Sequence, residues 1–165
     1  MIRQMKISGL FIDPVTDTPV VELTDSDNET SLHIWIGILE AVAIASELER
    51  IQFVRPMTHD LIKDLLTHLE VIVDRVEIHD LRENTFYAWI YVNVNDREFK
   101  IDARPSDALA IALRMNARIY VNEKLLVEPK RQAPGSQERV KDEESKKWME
   151  ILQNLSPEDF GKYKM

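Results

Sequence analysis

Residues 34–45 read IWIGILEAVAIA and residues 101–112 read IDARPSDALAIA, and the agreement between these two stretches decides the fold. A shift of 67 positions places the Ala and Ile residues of EAVAIA on those of DALAIA, and Ile34 on Ile101. The surrounding predicted elements follow the same order, although Ala-rich helices also recur by chance. We therefore predict an α+β fold in which a β-β-β-α unit occurs twice, with mixed or antiparallel sheets packed against helices.

The spacing of the apolar residues predicts the individual elements. Alternation of apolar and polar side chains predicts strands over residues 5–12, 18–24, 32–36, 71–79, 85–94, 97–103 and 118–121. Apolar residues three and four positions apart predict helices over residues 38–50, 58–69 and 105–115. Thr58 is the expected N-cap of the second helix. Its expected buried stripe consists of Leu61, Ile62, Leu65, Leu66 and Leu69.

The composition changes after Glu128. Residues 129–146 lack apolar periodicity and mix charges densely, which predicts a charged flexible linker after a domain spanning residues 1–128. Residues 147–165 are predicted to form a helical C-terminal tail that docks on the core, on another subunit or on a partner. Its apolar side chains at helical spacing are Trp148, Ile151, Leu152 and Leu155. Because a short helix with one apolar face needs a surface to cover it, we expect a homo-oligomer, at least a dimer.

The overall composition excludes several classes of protein. Among 165 residues, 21 Lys and Arg face 29 Asp and Glu, and the net charge of −8 argues against tight, sequence-specific DNA binding. The chain has no Cys, which excludes disulfides, thiol nucleophiles and Cys-based zinc sites, and its four Gly lack the spacing of phosphate loops. The N-terminus does not resemble a signal peptide, and no apolar run approaches the roughly 20 residues of a membrane helix. We expect a soluble, cytoplasmic protein without membrane contact.

Two short motifs, RPMTHD at 55–60 and DARPSD at 102–107, place an Arg-Pro pair, a hydroxyl and carboxylates at the start of a predicted helix. A helix N-terminus presents unpaired N–H groups and a partial positive charge, so a neighbouring Arg makes it a natural phosphate site. The carboxylates could instead hold a divalent cation. Helix capping explains the same residue types, and for Ser106 and Asp107 taken singly we favour capping over catalysis.

Three further patterns bear on the site. Asp102 ends the polar face of its strand directly before Arg104, which suggests an ion pair that is structural or orients an anion-binding Arg. Glu40 takes the place of Asp107 in the repeat, so the two carboxylates are expected to approach each other if the halves pack symmetrically, with helix-dipole placement as the alternative. Three aromatic side chains share a strand face, where we favour core and cross-strand packing over a platform for single-stranded nucleic acid: Tyr87, Trp89 and Tyr91.

Several of these stretches together resemble the bifunctional nuclease (BFN) domain family. The resemblance is carried by LHIWIGILEAVAIA (32–45), RPMTHDLIKDLL (55–66), FYAWI (86–90) and IDARPSDALAIALR (101–114). The closing stretch WMEILQNLSPEDFGKYK (148–164) is similar to the C-terminal tail of bacterial members. The likeness covers roughly residues 3–128 and the tail. It implies a nuclease that degrades RNA and DNA, with nucleic acid as its substrate.

The motif positions can be given roles in phosphodiester hydrolysis, with low sequence specificity expected. The candidate catalytic residues are His59, Asp60, Asp102 and Asp107, of which His59 is the general acid or base and Asp60 tunes it. The candidate substrate-binding residues are Arg55, Thr58, Arg104 and Ser106. A divalent cation, Mg²⁺ or Mn²⁺, is expected at Glu40, Asp102 and Asp107. The alternatives are a non-catalytic module that binds an anion or nucleotide, and a regulatory oligomeric scaffold whose motifs only cap helices.

Overall fold

The computed structural model describes residues 1–126 and 141–155. The strands are β1 (Ile2–Asp13), β2 (Thr18–Thr24), β3 (Ser31–Trp35), β4 (Ile72–Arg82), β5 (Thr85–Val94), β6 (Arg97–Ala103) and β7 (Arg118–Asn122). The helices are α1 (Ile38–Leu48), α2 (Thr58–His68), α3 (Pro105–Met115) and α4 (Lys141–Asn154), and a single 3-10 turn covers Glu123–Leu125. The predicted strands and helices of residues 1–126 are therefore confirmed, most of them to within three residues at either end.

The described strands form one mixed sheet in the order β3-β2-β1-β7-β4-β5-β6. All neighbours are antiparallel except β4 and β7, which are parallel. In each β-β-β unit, the first strand lies near the middle of the sheet and the third strand forms an edge. A helix follows the third strand along the chain. β7 lies in the centre and pairs with the first strand of each unit. The structure thus confirms the α+β class and shows the same β-β-β-α order in both halves.

Two hairpins turn on consecutive residues with left-handed backbone conformation. Glu83 and Asn84, with φ of 46° and 61°, link β4 to β5, and Asn95 and Asp96, with φ of 49° and 61°, link β5 to β6. Two positive φ angles in a row match the twist of the flanking strands, which is why such turns dominate two-residue hairpins. The hairpin predicted at residues 95 and 96 is confirmed, although neither position is glycine.

The core lies on the helical side of the sheet, where α1 and α3 pack against each other. Most of the Ala and Ile residues that α1 and α3 share are buried there, since small side chains allow helices and sheet to approach closely. From the sheet, the largest fully buried side chains include Val21, Leu23, Val76 and Ile78. The repeated helical sequence therefore forms a repeated part of the core.

The buried stripe predicted for α2 is only half right. Ile62 and Leu66 are half-buried against the core, but Leu61, Leu65 and Leu69 are each more than half exposed. The reason is that α2 packs chiefly against α3, so one narrow face is covered and the rest faces solvent. The N-cap prediction was also wrong: the cap position is Met57, whose backbone N–H donates to the Asp60 carboxylate at 3.0 Å, and Thr58 is the first helical residue.

The C-terminal helix docks on its own chain. It begins at Lys141, inside the stretch predicted as linker, and buries Trp148 and Leu152. The Trp148 indole donates a hydrogen bond of 2.8 Å to the carbonyl of Leu10 in β1. Within residues 141–155, the main apolar side chains of the tail are therefore covered by the core and do not argue for oligomers. Most of the predicted linker and the end of the predicted tail, residues 156–165, lie outside the described residues.

Within residues 1–126 and 141–155, none of the helices combines the length and the apolar character needed to cross a lipid bilayer.

Candidate active site

An open cleft of about 660 Å³ lies between α1, α2, α3 and the β5–β6 end of the sheet. Its walls include four apolar side chains, Phe53, Ile62, Ile90 and Ile111, and a group of charged side chains lies among them. Clefts with apolar walls and a few convergent polar groups are the usual form of binding and catalytic sites. The cleft is therefore the candidate site.

The charged group is centred on Arg104, the residue that caps α3. Its Nη1 donates to Glu40 Oε1 at 2.8 Å, and its Nε and Nη2 donate to the two oxygens of Asp107 at 2.7 and 3.1 Å. The ring of His59 lies against Asp107 as well, with Nε2 2.9 Å from Oδ1. The expected approach of Glu40 and Asp107 is thus observed, but a guanidinium joins the two carboxylates.

Local structure explains how these side chains meet. Glu40 and Asp107 each occupy the third position of their helix, as the repeat requires, and His59 is the second residue of α2. Gly37 precedes α1 and leaves room for the Glu40 side chain, because a Cβ there would overlap the Glu40 carboxylate. Three helix N-termini consequently converge on one point at the rim of the cleft.

The contacts keep Asp107 ionised. Partial burial pushes the pKa of Asp107 upward, but hydrogen bonds from Arg104 and His59 outweigh it and hold that pKa below its ordinary value of 3.8. At neutral pH the carboxylate accepts a hydrogen bond from the Nε2–H of the His59 ring, which fixes the ring's tautomer and orientation. The group therefore combines an oriented imidazole with a guanidinium.

Sequence reasoning did not single out Arg114, which anchors this group from below. Its side chain is 2% exposed, and its Nε donates to Asp60 Oδ1 at 2.7 Å. Its Nη1 donates to the carbonyls of Ala43 and Ala110, and Nη2 donates to Ser46 Oγ at 3.3 Å. The available signal was the charge itself, since Arg114 follows Ala110 by four positions on the apolar face of its helix.

The Asp60 carboxylate is the ion-pair partner of Arg114. Burial favours a higher pKa for Asp60, but the Arg114 guanidinium and the backbone N–H of Met57 outweigh it and hold that pKa below 3.8. Both Asp60 oxygens are engaged by these two donors. The hypothesis that Asp60 tunes His59 therefore finds no contact in the structure; the carboxylate beside the imidazole is Asp107.

The remaining predicted residues are scattered. Asp102 borders the cleft, but it shares the outer face of β6 with Lys100, and no side-chain partner for it occurs among the described residues; the expected pair with Arg104 does not form. Arg55 is exposed and does not line the cleft. Thr58 is exposed at its rim. Ser106 is buried in a neighbouring cleft that Glu40 and Arg104 also line.

The arrangement does not offer a ready ligand set for a cation. Among residues 1–126 and 141–155, no three His, Asp or Glu side chains converge as metal ligands would. Glu40 and Asp107 both turn their oxygens to Arg104, whose positive charge takes the place a cation would need. Divalent-metal binding at Glu40, Asp102 and Asp107 stays a prediction.

The three aromatic side chains of β5 lie on the outer face of the sheet, away from the core. Arg75 covers the ring of Tyr91 at 3.8 Å, and the ring of Trp89 is flanked by Lys100 at 4.4 Å and by His79, stacked at 4.7 Å. Cross-strand packing is thus confirmed for these rings, but core packing is not. Because neighbouring side chains cover these ring faces, the row is not an open stacking platform.

Comparison with known proteins identifies the family to which the chain is similar. The bifunctional nuclease domain matches residues 21–133, a stretch that contains the cleft and its charged group. An uncharacterized protein of Mycobacterium tuberculosis is 38% identical over 162 residues, which are 95% of this chain and 97% of that protein. Bifunctional nuclease 2 of Arabidopsis thaliana is 29% identical over 104 residues, 60% of this chain and 32% of the plant protein. Bifunctional nuclease 1 of Oryza sativa subsp. japonica is 24% identical over 109 residues, 64% of this chain and 33% of the rice protein.

The chain belongs to the bifunctional nuclease domain family, as its motifs predicted. The relatives that bear the name nuclease are distant and about three times as long as the matched region. The bacterial relative, which is similar along nearly its whole length, is uncharacterized.

Proposed function

We propose that this protein is a nuclease that hydrolyses phosphodiester bonds of RNA and DNA with low sequence specificity. The observation that carries the proposal is the contact between His59 and Asp107 beside Arg104 at the rim of the cleft. An imidazole oriented by a carboxylate, next to an exposed guanidinium, supplies a general base and a phosphate ligand in one place. The family and its plant nucleases support the same activity.

His59 is assigned the proton transfer. When Nε2–H donates to Asp107, the other ring nitrogen, Nδ1, keeps its lone pair and can take a proton from an attacking water. The imidazolium that forms is stabilised by the Asp107 carboxylate and can return its proton to the leaving oxygen. Asp107 is thus a positioning residue, because it acts on the substrate through His59.

In this proposal, Arg104 binds a phosphate group of the substrate. A guanidinium has five N–H donors, and three of them bind Glu40 and Asp107, so two remain for phosphate oxygens. The side chain is largely exposed and can therefore reach a substrate. The two carboxylates hold the guanidinium in place before the substrate arrives, which lowers the cost of organising the charge.

Low specificity follows from the walls of the cleft. Phe53, Ile62 and Ile111 offer apolar surface without the donors and acceptors that distinguish one base from another. With a net charge of −8, long runs of phosphate contacts are not available either. A protein with these features recognises a short segment of nucleic acid through one phosphate and nearby apolar contacts.

A divalent cation, Mg²⁺ or Mn²⁺, remains an expectation from the chemistry of phosphodiester hydrolysis. The proposed mechanism uses no metal, because the carboxylates of Glu40 and Asp107 bind Arg104. We also propose a cytoplasmic location and homo-oligomeric assembly, both of which are expectations from the sequence.

A second candidate, a non-catalytic binding module for nucleotides or other phosphorylated ligands, is favoured by one observation. Every charged side chain of the group around Arg104 already has a partner, as in a site built to hold its shape. Binding needs Arg104 and the cleft but does not need the imidazole. The two functions therefore differ in their dependence on His59.

The test is cleavage of labelled single- and double-stranded RNA and DNA by purified protein in Mg²⁺, in Mn²⁺ and in EDTA. We expect His59→Ala and Asp107→Asn to lower kcat/KM by about a hundredfold or more, the usual contribution of general acid–base catalysis. His68→Ala and Asp64→Asn are matched controls, since both residues lie on α2 outside the cleft. The controls should keep wild-type activity.

Equal cleavage by wild type and His59→Ala would contradict the proposal and would indicate a contaminating nuclease. No cleavage, combined with a rise in Tm on adding nucleotides that Arg104→Gln abolishes and His59→Ala preserves, would establish the binding module instead.

A further inference from the structure

The edge strand β6 leaves apolar side chains uncovered on the side of the sheet where the core lies. Register with β5 sets Phe99 opposite Val92 and Ile101 opposite Ile90, so all four share the helical face. Val92 and Ile90 are buried, whereas Phe99 is 50% and Ile101 46% exposed. The helical layer therefore ends one strand short of the edge of the sheet.

The first repeat shows how the same positions look when they are covered. The shift of 67 residues relates Phe99 to Leu32 and Ile101 to Ile34, both on β3 at the opposite edge. Leu32 is 4% and Ile34 3% exposed. Equivalent apolar residues are thus buried in one half of the molecule and bare in the other, which indicates a missing neighbour at β6.

The free edge of β6 also lacks three of the usual protections of an edge strand, which are a bulge, a proline and a very short length. Its seven residues pair with β5 in unbroken register from Arg97 to Ala103, without a bulge or a proline, whereas β3 has five residues. An edge strand of this kind presents unpaired N–H and C=O groups to another strand. The geometry therefore fits the addition of a strand.

Two charges on the outer face of β6 fit a second copy of the same strand. Lys100 and Asp102 are both exposed, and neither has an ion-pair partner among residues 1–126 and 141–155. Antiparallel pairing about a two-fold axis at Ile101 sets Lys100 opposite Asp102 of the partner subunit, and does so twice. On the helical face the same register sets Phe99 opposite Ala103 of the partner subunit and the two copies of Ile101 side by side.

We propose that β6 is the dimer interface of this protein, where two copies join their sheets antiparallel about a two-fold axis at Ile101. An axis at Phe99 is less suitable, because it would pair Lys100 with Glu98, which already binds Arg75 at 3.0 Å. Asp102, Ala103 and Arg104 line the cleft, so the partner strand lies along its open side. The inference does not rest on the proposed nuclease activity.

The test measures the mass of the full chain in solution over a range of concentrations, by light scattering or analytical ultracentrifugation. Wild type is compared with variants in which the charge of residue 100 or residue 102 is reversed. We expect wild type at twice the chain mass of 19.2 kDa. Lys100→Asp sets two acids against each other at both pairs, and Asp102→Lys sets two lysines against each other. Each should raise the dissociation constant of the dimer by on the order of tenfold, since opposed like charges destabilise paired strands.

Mixing the two single variants restores both pairs, so an equimolar mixture should regain the dimer as a heterodimer. This rescue shows that the single variants are folded, and Lys63→Asp on α2 is the charge control that should leave the wild-type mass unchanged. A monomeric wild type would overturn the proposal and leave β6 to some other partner. Single variants with the wild-type dissociation constant, or a mixture that dimerises no better than either single variant, would overturn it as well.

Discussion

Arg114 carries its charge on a side chain that is 2% exposed, and it is surrounded by acceptors from three helices. Asp60 belongs to α2, Ala43 and Ser46 belong to α1, and Ala110 lies one turn before Arg114 in α3. A buried guanidinium is tolerated only when its donors are satisfied, so removing either partner leaves an uncompensated group. The bond to Asp60 fixes the start of α2 and with it the position of His59.

Replacing Arg114 by Met tests this anchor. At pH 7 we expect Arg114→Met to lower the free energy of unfolding by about 2–4 kcal/mol, slightly less than for a fully buried ion pair because the Asp60 side chain is 31% exposed. Urea unfolding followed by circular dichroism measures the change. Arg118→Met removes a comparable bond to Asp74 at 2.7 Å, but Arg118 is exposed, so this control should change the free energy by less than about 1 kcal/mol.

At acidic pH, the difference in free energy of unfolding between wild type and Arg114→Met should become smaller. The pKa of Asp60 is lowered in the folded state, so its carboxylate contributes stability at neutral pH that is lost as pH falls below about 4. Once Asp60 is protonated, its bond to Arg114 no longer distinguishes the two proteins. The same urea experiment at pH 3 measures this effect, and an undiminished gap would mean that the pair is not the source of the stability.

At the scale of elements, α2 shows how little of an amphipathic pattern has to be buried. Ile62 and Leu66 face the core, while Leu61, Leu65 and Leu69 face solvent. The helix nevertheless has a fixed place, because its N-terminus is tied to α3 through the contacts of His59 and Asp60. Polar contacts at one end therefore replace part of the usual hydrophobic docking.

Replacing a half-buried and an exposed leucine of α2 by alanine should show how much each contributes to stability. We expect Leu66→Ala to lower the free energy of unfolding by about 1–2 kcal/mol, below the value for a fully buried leucine because Leu66 is half-buried. Leu65→Ala is the matched control and should cost less than about 0.5 kcal/mol, since exposed surface changes are usually small. Chemical denaturation measures both, and equal costs would place the two side chains in similar surroundings.

At the scale of the whole molecule, the candidate site lies where the two repeats and their connection meet. Glu40 comes from the first unit, Asp107 from the second, and His59 from the segment between them. Arg104 joins all three, directly or through Asp107. The site therefore exists only when both halves are folded together.

The docking of α4 is a second whole-molecule feature. Trp148 is buried and bonds to Leu10, so Trp148→Ala should lower the free energy of unfolding by about 3–5 kcal/mol, the usual cost of truncating a buried aromatic. Met149 is its exposed neighbour, and Met149→Ala should have little effect. Thermal and urea unfolding of both variants measure the difference. An unchanged Trp148→Ala protein would mean that α4 contributes nothing to folding in solution.

Local pattern in the sequence was enough to determine the elements and their order. The strands alternate with a period of two and the helices with a period near three and a half, and these periods depend only on neighbouring residues. The repeat between residues 34–45 and 101–112 added the pairing of the two units. The motifs around His59 and Asp107 pointed to the site for the same reason, since each lies at the start of a helix.

Only the tertiary structure decided which of these residues meet. His59 and Asp107 are 48 positions apart, and Arg114 and Asp60 are 54 positions apart, so no local pattern could pair them. Asp60 and Asp102 are predicted catalytic residues, and only the structure shows that Asp60 binds Arg114 and that Asp102 borders the cleft. The sequence by itself determined the elements of residues 1–126 and which of their faces are apolar, because those properties are local, whereas the start of α4 inside the predicted linker was not found. Burial and partnership are properties of the packed chain, and they were decided by how the three helix N-termini converge.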